Sequence, residues 1–219
     1  MGKVPKRSPL LSFYIFLYNV TLFLIHLVIF IKLVNSLLTG NFVYAEHFPL
    51  FCIGTAAQLL DVLHGILGIT STGVAAGIIQ VLGRLSMLYI VEGNPTIHNQ
   101  ISTPILLFAW VLIELFRYPY YAFRAWDIEV NVLAWLRYSA WIPLYPLGLA
   151  MEWISQVSSL KYYYETEKYA LRIPNTDVQL NFAFVLAALA FVAMPFLSRK
   201  LLGHMRKQRR NKLSPAKRD

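Results

Sequence analysis

The chain has 219 residues, of which 57% are hydrophobic and only 14% charged, with a net charge of +9 and a mean hydropathy of +0.52. Soluble domains usually carry about 25% charged residues, so this balance excludes an ordinary soluble globular protein and points to a polytopic membrane protein. The positive charge sits at the ends, with nine of the twenty Lys and Arg after Ser198 and three before Ser8. That placement suits anionic headgroups and orientation in a bilayer, and makes nucleic acid a poor partner.

Six segments are apolar and long enough to cross about 30 Å of hydrocarbon. They lie near 10–33, 50–69, 74–91, 101–121, 132–154 and 178–197. The expected fold is an all-α, six-helix membrane bundle forming a single domain over 1–219, with short basic tails at about 1–9 and 198–219. The first segment follows a basic start and runs apolar from Pro9 to Ile31, too long for a typical signal-peptide core, so it reads as a retained span. Asn19 and His26 within it read as interhelical hydrogen-bond partners. Turn residues at Thr39-Gly40-Asn41, Ser71-Thr72-Gly73 and Gly93-Asn94-Pro95 separate the early spans.

Span two carries Asp61 and His64 at i and i+3, on one helical face. They read either as a packing pair between helices or as support for an active site. A metal site is not expected, because no third ligand follows at fixed spacing. Span three carries Gln80 and Arg84, one turn apart. An arginine at membrane depth needs a partner or water, and Asp61 or Glu152 is the expected one. Glycines at 65, 68, 77 and 83 allow close helix approach. Span four brings Glu114 and Arg117 toward its end. Arg117, Arg124 and Arg137 cluster around the following loop, where they could simply snorkel to headgroups.

Within the fifth span, the stretch Leu136 to Trp153 reads LRYSAWIPLYPLGLAMEW. Tyr145 and Glu152 are seven residues apart, which returns them to one helical face about 10 Å apart along the axis. Pro143 and Pro146 cannot donate to the carbonyls of Ser139 and Ile142, so a kink is expected here. A broken helix bearing an ionisable group at membrane depth lines a cavity rather than lipid. A long loop rich in Tyr and charge is expected over about 156–177. An even number of spans with two basic tails puts both tails in the cytosol. The loops after spans one and three, which hold no Lys or Arg, agree, and Arg124 after span four agrees. Lys161, Lys168 and Arg172 after span five vote the other way.

The run LRYSAWIPLYPLGLAME resembles the LRY…LYPxGxxxE signature of the membrane 3-hydroxyacyl-CoA dehydratases, also called protein-tyrosine-phosphatase-like proteins. The segment AWVLIELFRYPYYAFR resembles that family's W…EiiRYxxY stretch, and Gln80 with Arg84 fits its QvxxR pattern. Asp61 stands where the family usually carries Glu. The resemblance is strongest from Trp110 to Glu152 and weakest in the first span and the tails. A phosphatase Cys-x5-Arg loop from Cys52, the one cysteine, would need Arg at the position of Gln58, so phosphatase chemistry is not expected.

The resemblance implies dehydration of a 3-hydroxyacyl-CoA to a trans-2-enoyl-CoA, the third step of very-long-chain fatty acid elongation in the endoplasmic reticulum membrane. It makes Tyr145 and Glu152 the catalytic pair, with Asp61, His64, Gln80, Arg84 and Gly148 in support, and Arg117, Arg124 and Arg137 at a mouth for CoA phosphates. No metal or cofactor is needed, since one carboxyl and one phenol can divide the acid and base roles. Glu152 as base at C2 with Tyr145 as donor to the hydroxyl is the preferred assignment, and the reverse stays open. The substrate would thread an internal tunnel among the helices. Elongase condensing enzymes and reductases are the implied protein partners, beside the lipid bilayer. The tail PAKRD only partly resembles a dilysine retrieval signal, with Lys217 three from the end. A non-catalytic scaffold of the same fold and a small transporter are the competing readings. The latter would call for inverted repeats, which the sequence does not display.

Overall fold

The computed structural model describes residues 8–213 except 71, 72, 173 and 175–178. The retrieval-signal residues from 214 onward, most of the N-terminal tail and two residues of the Ser71-Thr72-Gly73 turn lie outside the described residues. The chain is almost wholly helical: α1 (Pro9–Leu38), α2 (Tyr44–Ala57), α3 (Leu59–Ile66), α4 (Val74–Gly93), α5 (Ser102–Arg124), α6 (Asn131–Ser139), α7 (Trp141–Thr166), α8 (Phe182–Ala188) and α9 (Met194–Leu213). A two-stranded antiparallel ribbon, β1 (Leu171–Arg172) with β2 (Gln179–Leu180), precedes α8.

Local chemistry sets the helix ends. Ser8 accepts from the Leu11 N–H at 3.3 Å and Pro9 follows at the first helical position, so α1 begins there. It ends where Gly40 adopts φ +69°, letting Gly40 and Asn41 donate back to Leu37 and Ser36. Gly68, at φ +68°, closes α3 in the same way, with Ile69 donating to His64. The second expected span therefore runs as two pieces, α2 and α3, meeting at Gln58.

Among the described residues, five helical stretches are long and apolar enough to cross a bilayer: Pro9–Leu38, Tyr44–Ile66, Val74–Gly93, Ser102–Arg124 and Phe182–Leu213, the last joining α8 to α9 through a π-helical turn at Leu189–Ala193. The protein is thus an all-α, multi-pass membrane protein. The face of α1 turned inward is the polar one. Ser12, Asn19 and His26 are buried with Ile15, Leu22 and Ile29, while Phe13, Leu17, Leu24, Val28 and Ile31 point outward. Such an arrangement is stable only when the surroundings are apolar.

Helix α5 is the centre of the bundle. It packs on α1 along one side and on α7 along the other, and α2, α3 and α4 close against each other beside it. The main core gathers Ile29, Leu33, Leu88, Val91, Leu106, Leu107 and Tyr163. A smaller one joins Ile113, Trp141, Leu144 and Met205 around Tyr145.

One expectation is corrected. The loop expected over 156–177 begins only at Glu167, because α7 continues to Thr166, and its Lys161 lies on that helix opposite Glu165 at 3.8 Å. The basic residues expected after 198 are helical as far as Leu213, where α9 ends. Arg210 and Lys212, in its last turn, suit the negative end of the helix dipole.

Candidate active site

The helix carrying the signature breaks one turn before its prolines. Helix α6 stops at Ser139 and α7 starts at Trp141. Pro143 has no N–H to offer the Ser139 carbonyl, and the Ser139 hydroxyl accepts from Arg209 Nε of α9 at 3.4 Å. Pro146 lies inside α7. Downstream of the break, Tyr145, Gly148 and Glu152 follow one another along one face, since spacings of three, four and seven residues coincide on a helix.

Tyr145 is half-buried and opens onto a cavity of about 590 Å³. Asp61, His64, Gln80, Arg117, Arg124 and Arg137 line the same cavity. Arg84, Gly148 and Glu152 do not line it. Glu152 is held behind the cavity wall, where its Oε1 accepts the Trp110 indole N–H at 3.0 Å. Gly148 faces the same indole. A Cβ there would lie 3.9 Å from Ala109 Cβ and from Trp110 Nε1. At Gly148 the surface of α7 between phenol and carboxyl is covered by α5.

Beside this pair runs a buried ion network. Glu114, fully buried, accepts from Arg84 Nη1 at 2.5 Å through Oε1 and from Arg117 Nη1 at 3.3 Å through Oε2. Arg117 Nη2 reaches Asp61 Oδ2 at 2.6 Å, and the Tyr118 hydroxyl donates to the same oxygen at 3.4 Å. Gln80 donates to Glu114 at 3.4 Å, and Arg84 also reaches Gln58, which meets His26 at 3.2 Å. Two carboxylates thus face two guanidinium groups, which makes burial at membrane depth tolerable. The expected partner of Arg84, Asp61 or Glu152, is corrected: Arg84 pairs with Glu114, because α5 rather than α3 or α7 presents a carboxylate at its level. Arg84 does approach Glu152 indirectly, its guanidinium lying 5.5 Å from the Trp110 ring centre.

The remaining candidates divide clearly. Asp61 and His64 do not bond to each other; His64 Nε2 meets the Tyr14 hydroxyl of α1 at 2.8 Å. Arg124 pairs with Glu129 at 3.6 Å. Arg137 donates to the Tyr121 hydroxyl at 3.2 Å and lies over the Tyr121 and Tyr138 rings. Cys52 sits within α2, where helical hydrogen bonding uses the backbone N–H groups that a phosphatase loop would aim at phosphate. Among the described residues no three His, Cys, Asp or Glu side chains converge as a metal-ligand group.

Sequence reasoning missed Trp110, Gln58 and the role of Glu114 as the hub of the ion network. Trp110 and Glu114 share a helical face at i and i+4, a hint that one residue serves Glu152 while the other gathers the arginines.

Comparison with known proteins adds the lineage. The chain is 33% identical over 229 aligned residues to a very-long-chain (3R)-3-hydroxyacyl-CoA dehydratase of Gallus gallus, an alignment covering 99% of this chain and 62% of the relative. It is 32% identical to the dehydratase 3 of Mus musculus, covering 93% of this chain and 58% of that protein. A Danio rerio relative of the same name is 30% identical over 97% of this chain and 62% of its own length. The chain therefore spans about 60% of the length of these curated relatives. No solved structure matches it. Residues 55–215 match the family model described as protein tyrosine phosphatase-like protein, PTPLA, and the chain belongs to that family.

Proposed function

We propose that this protein dehydrates a 3-hydroxyacyl-CoA to the trans-2-enoyl-CoA, as the names of its relatives suggest. The observation that carries the reading is the placement of Tyr145 and Glu152 on one face of α7, separated by Gly148, with Tyr145 at the floor of a cationic cavity. In the preferred mechanism Glu152 takes the C2 proton, whose acidity the thioester raises. The C2–C3 double bond forms as the C3–O bond breaks, and Tyr145 supplies a proton so that the hydroxyl departs as water. The reverse assignment uses a neutral Glu152 as the donor, as an apolar pocket permits. Either mechanism requires the acyl chain to pass Tyr145 and part α7 from α5 at Gly148, which brings C2 and C3 between the two side chains.

The same reading makes α6–α7 a sixth crossing. At 26 residues, α7 alone is about 39 Å long. The cavity is lined by residues near the start of α1, the end of α3, the start of α4, the end of α5, the start of α7 and the end of α9. Successive segments meet it with alternating ends, which is the pattern of six antiparallel crossings. The cavity end then carries the start of α1, the end of α9 and the basic residues there, and faces the cytosol. Lys168, one of the dissenting cations, donates to the Gly93 carbonyl at 2.6 Å, which accounts for its position at the far end. Residence in the endoplasmic reticulum and work beside elongase condensing enzymes and reductases complete the proposal.

The test is direct. The purified protein is supplied with a long-chain 3-hydroxyacyl-CoA, and enoyl-CoA formation is followed for wild type, Tyr145→Phe and Glu152→Ala. Activity in wild type that collapses in both variants is expected. Robust turnover by either variant would remove that residue from the catalytic role, and an inactive, well-folded wild type would favour the scaffold reading.

A further inference from the structure

Of the three arginines expected to greet phosphate, Arg117 is fully engaged, one nitrogen on Asp61 and another on Glu114. Arg124 is shared with Glu129 and Arg137 with Tyr121. Another wall of the cavity belongs to α9. His204, Gln208, Asn211 and Lys212 line the cavity together with Leu201 and Met205. Their spacing of three, four and seven residues makes one continuous stripe along the helix.

The stripe changes character along its length. Leu201 and Met205 pack in the same cluster as Tyr145, at the deep end. Lys212 lies seven residues beyond Met205, about 10 Å further toward the mouth. It is exposed and has no carboxylate within ion-pair distance among the described residues. His204 and Gln208 hydrogen-bond to each other at 2.8 Å between them. Arg209 fastens this helix to α6 through the Ser139 hydroxyl at 3.4 Å, so the stripe is held against the cavity. On α6 itself, Arg137 keeps its Nε buried without a hydrogen-bond partner.

We infer that the C-terminal turns of α9, through Lys212 and Gln208, form with Arg137 and Arg124 a binding site for the phosphorylated nucleotide end of the CoA thioester. This rests on the dehydratase reading and adds a wall of the site that the signature does not contain. An apolar-to-cationic stripe leading away from Tyr145 matches a ligand whose thioester lies deep and whose phosphates stay at the mouth. Lysine recognises phosphate as a point charge with three donors, and a free one at a cavity rim needs little rearrangement to do so.

The full chain in zwitterionic-lipid nanodiscs decides the matter. Binding of desulfo-CoA should weaken about tenfold in Lys212→Ala, the scale of one lost charge-assisted contact, and more in Gln208→Ala/Lys212→Ala. Lys212→Arg should restore most of it. With a 3-hydroxyacyl-CoA, KM should rise while kcat holds, whereas a 3-hydroxyacyl-pantetheine, which lacks the nucleotide, should be turned over alike by wild type and variants. Equal desulfo-CoA binding by wild type and the double variant would overturn the proposal while leaving a turning-over wild type a dehydratase. Loss of anionic-lipid binding in the variants with desulfo-CoA binding intact would assign these turns to headgroups and overturn it as well. A wild type that binds desulfo-CoA through Lys212 yet forms no enoyl-CoA would keep the nucleotide site and sink the dehydratase reading alone.

Discussion

Trp110 on α5 donates its indole N–H to Glu152 on α7 at 3.0 Å, and the same indole has the Arg84 guanidinium 5.5 Å from its ring centre. One aromatic side chain thus links the carboxyl nominated for catalysis to the buried ion network. It also fixes which way that carboxyl points, because a single donor on a rigid ring leaves little rotational choice.

Replacing Trp110 by Phe removes the donor and keeps most of the packing. The variant should fold and should lose about tenfold in kcat with a smaller change in KM, since one hydrogen bond to a charged or polarised group is worth about 1.5 kcal/mol. Steady-state kinetics with a long-chain 3-hydroxyacyl-CoA check this. An unchanged kcat would show that Glu152 needs no orienting partner.

Among the described residues, Glu114 is the only carboxylate that touches both Arg84 and Arg117. Glu114→Gln leaves two buried cations with Asp61 as their one remaining counter-charge among these residues. It should destabilise the bundle by about 3 kcal/mol, the usual scale for breaking one side of a buried pair. Thermal unfolding in detergent reads the effect. Adding Arg84→Met should recover part of it, because the orphaned cation goes too.

Gly148→Ala separates stability from activity. The added Cβ finds its neighbours at 3.9 Å, an ordinary contact distance. Alanine inside a helix gains about 0.5–1 kcal/mol over glycine, so the melting temperature should hold or rise. Turnover should fall, because the methyl group stiffens the α5–α7 seam that the substrate must open between Tyr145 and Glu152. Equal activity with long-chain substrates would mean that the substrate does not use this seam.

The cavity predicts a labelling pattern. In a Cys52→Ser background, a cysteine placed at 145 should react with a small water-soluble maleimide from the side carrying the termini. Soaking with desulfo-CoA should slow that reaction. Reaction only with a lipid-soluble reagent would turn Tyr145 toward the bilayer and remove the tunnel.

Much of this protein could be read from the chain itself. Hydrophobic runs of about twenty residues mark membrane helices because a bilayer leaves the backbone no other partner than itself. The prolines at 143 and 146 announced a break near Ser139, since a missing N–H is a local fact. The common face of Tyr145, Gly148 and Glu152 follows from helical periodicity alone. What lay beyond reach were relations between helices. Nothing in the spacing says that α5 presents Glu114 to Arg84, or that Trp110 stands before Glu152. The sequence also placed a loop where α7 continues, because charge and tyrosine after residue 156 resemble loop composition while packing against α4 and α8 keeps the segment helical. Local periodicity decides which side chains share a face. Only the packing of the other helices around α5 decides what that face meets, and with it which groups are sealed, which are paired and which line the cavity.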